Sequence, residues 1–136
     1  MNERILVSVL RITGGVSLLA AIFVFVPYSW MNAIHQRLGM GELPGNPVVG
    51  YLARSTSAFY ALLGGLLLVL SRDVRRHRPV LTYLGIAVSS FGLVLLCVDW
   101  IEGMPQYWKV VEGPFVLLLG VAIFYLNHRV GADAEG

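Results

Sequence analysis

STSAFYALLGGLLLVLSRDVRRHRP, Ser55 to Pro79, is the stretch on which the reading of the whole chain depends. From Ser55 to Ser71 no residue carries a formal charge. The chain then meets Arg72, Arg75, Arg76 and Arg78, opposed only by Asp73. Hydrocarbon excludes charge and positive loops stay on the inner side of a membrane. A long uncharged run that ends in an arginine cluster therefore reads as a membrane helix meeting the cytoplasm.

The composition outside this stretch agrees. The 136 residues, enough for one domain, are 57% apolar and only 13% charged, with a mean hydropathy of +0.72. A soluble domain carries roughly a quarter charged residues, and so little polar surface could not cover this much apolar material in water. The surplus faces lipid, and the bilayer is the first partner implied. The net charge of +2 is small and its basic residues gather in one loop between uncharged helices. That pattern reports topology and excludes a nucleic-acid-binding face. Cys97 is the single cysteine, so no disulfide within the chain and no multi-thiolate metal site can form. The uncharged run Ile12–Gln36 is too long for the apolar segment of a signal peptide and no A-x-A site follows it, so it reads as a retained helix.

Taken in order, the pattern predicts transmembrane helices at about 5–27, 48–71, 79–99 and 112–128. At about 1.5 Å of rise per residue, some 20 residues cross a core of about 30 Å. A short interfacial helix is expected at about 29–38. Ser29 would cap it, Trp30, Met31, Ile34 and Leu38 would form its apolar face, and Gly39 would stop it. Pro79 suits the first position of the third span. An outer loop is expected over Asp99–Glu112, and the tail RVGADAEG reads as disordered. The fold class is thus all-α, an antiparallel four-helix transmembrane bundle with one interfacial helix. Arg4, Arg11, Arg72, Arg75, Arg76, Arg78 and Arg129 fall on one side, against Arg37, Arg54 and Lys109 on the other. That bias places both termini in the cytoplasm of a cell whose inner membrane holds the protein. Tyr28, Trp30, Tyr51, Trp100, Tyr107 and Trp108 collect at the outer boundary.

Lipid supplies no hydrophobic drive between helices, so small residues that admit close backbones mark the contacts. Each span has such a stripe: Gly14, Ser17 and Ala21; Ser57, Ala61 and Gly65; Gly85, Ser89 and Gly92; Gly113 and Gly120. Arg54 lies on the face of the second stripe, and Asp99 follows Gly92 and Gly85 at heptad spacing. Charges at the outer ends of membrane helices normally find each other, so Arg54 is expected to pair with Asp99, with Glu112 as a second acceptor. This cluster would fix helix register or, alternatively, hold an anionic or quinone-like headgroup.

No reactive constellation accompanies these features. His35 lies in the outer loop and His77 and His128 at the inner boundary, so none offers a haem ligand pair inside a bundle. The acidic residues sit at helix ends, in loops or in tails, away from the mid-membrane position that a proton-coupled carrier needs. Neither catalytic residues, nor a cofactor site, nor a metal site is expected. The segments RITGGV, YLARSTSAFYALLGGLLLVLSRDVRR and VEGPFVLLLGVAIFYL resemble those of small four-helix bacterial integral membrane proteins of unknown function and, more loosely, DoxX-like proteins. Some DoxX-like relatives are linked to quinone-dependent redox chemistry, but without paired cysteines or buried histidines no catalytic residue carries over. The expected function is a non-enzymatic structural or accessory subunit that joins itself or a larger membrane complex. The alternative is a redox-accessory or quinone- or lipid-ligand-binding protein with a pocket at the outer end.

Overall fold

The computed structural model describes residues 1–135, with side chains through residue 132. Six helices follow one another: α1 Asn2–Leu19, α2 Ala21–Phe25, α3 Tyr28–Arg37, α4 Pro47–Leu70, α5 Arg78–Ile101 and α6 Gln106–Glu135. Among the described residues there is no strand. Four segments are long and apolar enough to cross a bilayer: Asn2–Phe25, Pro47–Leu70, Arg78–Ile101 and Gln106–Ala132. At most 22% of the most apolar stretch of each is buried against the rest of the protein. Water could not wet the remainder, so this is a multi-pass membrane protein.

Local chemistry sets the breaks. The first span changes pitch at Ala20, where Ala20 N–H bonds Ser17 O and Phe23 N–H bonds Ala20 O. It ends because Pro27 follows. Val26, the residue before a proline, takes the extended conformation (ψ 136°). The short helix α3 starts on Pro27 rather than on Ser29: Pro27 O accepts from Trp30 and Met31 N–H, and no side chain caps it. A proline with φ −59° already has the dihedral of a helix entrance. Gly39 at φ 71° closes α3, with Gly39 N–H bonded to Gln36 O and Met40 N–H to His35 O. This is the Schellman arrangement, which uses the left-handed backbone that glycine adopts without a Cβ penalty. Asn46 then opens α4 by accepting from Val48 N–H through its side chain at 3.0 Å.

Two expectations need correction at the other end. The loop expected over Asp99–Glu112 is only the short turn from Glu102 to Pro105 between α5 and α6, closed by Gly103 at φ 67° with Met104 N–H bonded to Asp99 O. The last span does not start near residue 112 but at Gln106, so that Pro114 lies inside α6. A proline there removes a single i to i−4 bond, a loss tolerated where neighbouring packing holds the helix. The last span therefore extends beyond 112–128 in both directions. The tail is helical through Glu135, and Gly136 lies outside the described residues.

The chain divides into two compact units, Met1–Arg11 with Val69–Gly136, and Ile12–Leu68. In the first, α5 and α6 pack along their length, and Leu6, Leu10, Leu70, Val74, Leu81, Ile123 and Val130 are buried. Arg75 of the arginine loop donates to Glu3 Oε2 at 2.9 and 3.1 Å. Asp73 takes Arg76 N–H at 3.0 Å. Arg72 and Arg76 are exposed. In the second unit the end of α1 runs antiparallel to α4. There Gly14 lies against Gly64, Leu67 and Leu68, and Gly64 lies against Gly14, Ser17 and Leu18.

Candidate functional site

The contact between α5 and α6 is a single ladder. Arg78 lies against Gly131, Thr82 against Asn127, Gly85 against Phe124, Ser89 against Gly120, Gly92 against Leu117 and Leu96 against Gly113. As one helix advances by four or three residues the other retreats by the same step. This is the alternation of a left-handed antiparallel seam. The backbones approach closely because one partner in most rungs lacks a side chain. A Cβ on Gly85 would lie 2.8 Å from Phe124 N, and one on Gly120 would strike the backbone N and Oγ of Ser89. Ser89 Oγ is itself turned back onto Gly85 O at 2.7 Å. Gly85, Ser89, Gly92, Gly113 and Gly120 are thus all brought to one seam.

The stripe assigned to α4 is placed differently. Gly64 is buried against α1, whereas a Cβ on Gly65 would meet nothing within 4 Å. Ser57, Ala61 and Ala21 are half-buried, and Ser57 Oγ donates to Ala53 O at 2.8 Å. With two adjacent glycines, spacing alone does not say which one enters the contact.

The Arg78 end of the α5–α6 ladder holds a polar rung absent from the sequence reading. Asn127 is only 2% exposed. Its amide nitrogen donates to Arg78 O at 3.0 Å and to Thr82 Oγ1 at 2.9 Å. Thr82 Oγ1 also bonds Arg78 O at 3.0 Å. The guanidinium of Arg78 lies over Gly131, in the space that a Cβ there would occupy. Asn127 follows Gly120 and Gly113 at the same seven-residue spacing, a signal already present in the sequence. A buried amide between apolar helices gains from such bonds because unpaired it would stand in hydrocarbon.

Near the turn at residues 102–105, Asp99 is 4% exposed and its Oδ2 has no hydrogen-bond partner among the described residues. Glu112 Oε2 accepts from Trp108 Nε1, one helical turn earlier, at 2.6 Å. Lys109 Nζ lies 4.6 Å from the centre of the Trp100 ring, a cation–π distance. Arg54, in the other unit, donates from Nη2 to Val26 O at 3.2 Å. That carbonyl is available because Pro27 ended the helix it belonged to.

Between α2, α3 and α4 lies an open cavity of about 210 Å³, lined by Phe23, Met31, Ile34, Leu43, Ala53 and Ser57, with His35 also on its wall. Its roof, the segment after α3, is tied down by side chains. Tyr28 Oη reaches Leu43 O at 2.8 Å and Pro44 O at 2.5 Å. Asn32 Oδ1 accepts from Leu43 N–H at 2.7 Å. His35 Nδ1 donates to Gly41 O at 2.9 Å, which fixes its tautomer because a carbonyl can only accept. Gly41 at φ 81° makes the turn between these ties.

Among the described residues no three His, Cys, Asp or Glu side chains gather as a metal set, and Cys97 is exposed on α5. The chain matches no family model, no curated protein and no solved structure.

Proposed function

We propose that this protein is a structural or accessory subunit of the bacterial inner membrane, with both termini and the arginine loop in the cytoplasm. The observation that carries the reading is the α5–α6 ladder. Glycine and serine close one seam from Arg78 to Gly113, while large apolar side chains such as Ile86, Leu93, Phe115 and Leu118 remain exposed. A rigid helix pair with an apolar exterior suits a role in assembly with itself or with a larger membrane complex. Two measurements test it. A reporter fused to the C-terminus is expected to be active only in the cytoplasm, and cross-linking in native membranes is expected to trap a defined oligomer or complex. A periplasmic C-terminus, or a monomer with no cross-linked partner, overturns this reading.

A second reading is favoured by a different observation, the apolar cavity beneath the tied segment after α3. Here the protein binds a lipid-soluble molecule, quinone or lipid, as a ligand-binding or redox-accessory protein. Co-purification of a stoichiometric apolar small molecule from mild detergent supports it; a protein that carries none contradicts it.

A further inference from the structure

We infer that the cavity between α2, α3 and α4 seats one acyl chain of an anionic phospholipid whose phosphate is held by Arg54; this rests on the second reading above and names its ligand. Size comes first. The cavity of about 210 Å³ exceeds the roughly 150 Å³ that accepts a benzene ring. It falls short of the roughly 300 Å³ at which sites for whole drug-sized ligands begin. It therefore takes a segment of chain and leaves the rest of the molecule outside.

The lining agrees with a hydrocarbon occupant. Phe23, Met31, Ile34, Leu43 and Ala53 present apolar surface. The polar groups on the wall are already engaged, Ser57 Oγ with Ala53 O and His35 Nδ1 with Gly41 O. The tied roof means that the space is preformed rather than opened by the ligand, which lowers the ordering cost of binding.

Charge selects the headgroup. Between residues 12 and 68 the charged side chains are Arg37, Arg54 and Glu42, two positive against one negative. Arg54 follows Ala53 of the lining directly and stands one turn before Ser57. Its bond to Val26 O anchors it one turn beyond Phe23. The guanidinium is exposed, and its remaining N–H groups have no partner among the described residues. At a membrane boundary an arginine in that state takes up anionic oxygen, and a phosphodiester matches its donor fork.

The test is native mass spectrometry of the full chain in mild detergent, supplied with dioleoylphosphatidylglycerol or dioleoylphosphatidylcholine. The wild type is expected to retain one phosphatidylglycerol about tenfold more strongly than phosphatidylcholine, whose quaternary ammonium offsets the charge of the same phosphodiester beside Arg54. Arg54→Gln should erase that preference while still retaining lipid. Ala53→Phe and Ile34→Trp, which fill the cavity from different helices, should lose the retained lipid; circular dichroism identifies whichever variant stays folded. Equal retention of both lipids by the wild type, lost in the filled variants, overturns the anionic ligand and leaves the second reading standing. Retention unchanged by a folded, filled variant overturns both.

Discussion

The α5–α6 pair, which is largely apolar, and the α3 region, which is rich in polar side chains, are ordered in opposite ways. Along α5 and α6 the backbones meet directly, and a Cβ at Gly85, Gly113 or Gly120 would enter a neighbouring residue. Around α3, side-chain hydrogen bonds from Tyr28, Asn32 and His35 hold a segment across open space. The first region gains its stability from contact area and tolerates no added atom. The second keeps a gap open by anchoring its rim, and added atoms there should be accepted. A membrane protein, which cannot use water to drive its helices together, thus has both a filled seam and a preformed cavity.

The sharpest way to break this contrast is to add side chains to each. Gly120→Leu should destabilise the protein by about 3 kcal/mol or more, the upper end of overpacking costs, because the obstruction is Ser89 backbone. Gly65→Leu, where a Cβ meets nothing within 4 Å, should change thermal stability by less than about 1 kcal/mol. Equal effects in a detergent melt would mean that the seam is not where these helices are held.

Asn127→Ala tests the polar rung. It removes two hydrogen bonds and leaves a small void, so a loss of about 1–2 kcal/mol is expected in unfolding from mixed micelles. A neutral outcome would show that Thr82 and Arg78 are satisfied without it. Tyr28→Phe releases the roof ties to Leu43 O and Pro44 O. Its effect should be about 1 kcal/mol and local: faster amide exchange over residues 38–46, with α5 and α6 amides unchanged. Exchange spreading into α5 would contradict the separate ordering of the two regions. The smallest effect is expected for Glu3→Gln. Its ion pair with Arg75 is well exposed, with side-chain exposures of 58% for Arg75 and 43% for Glu3, so the loss should stay below about 0.5 kcal/mol and shrink further in high salt.

Several features were legible from residues alone. The arginine cluster after Ser71 marks one helix end, Gly39 stops α3, and the glycines and serine of α5 and α6 share a spacing that matches the observed seam. Other features were not. The last span is expected from about residue 112, yet α6 starts at Gln106 and runs through Pro114. Gly103 closes the turn between α5 and α6 with a positive φ that no spacing in the sequence marks. Asn127 lies on the α6 glycine stripe and is visible there in hindsight, but nothing local distinguishes a buried asparagine from one at a helix end.

What the sequence determined by itself was the class and the presence of four apolar spans. Exclusion of charge from hydrocarbon acts on each residue wherever its neighbours lie, so composition and run length suffice. Tertiary structure alone decided which of Gly64 and Gly65 enters a contact, what the amide nitrogen of Asn127 donates to, and that α2, α3 and α4 leave a cavity beside a tied segment. These outcomes depend on the distance between side chains remote in sequence, a quantity that no periodicity encodes.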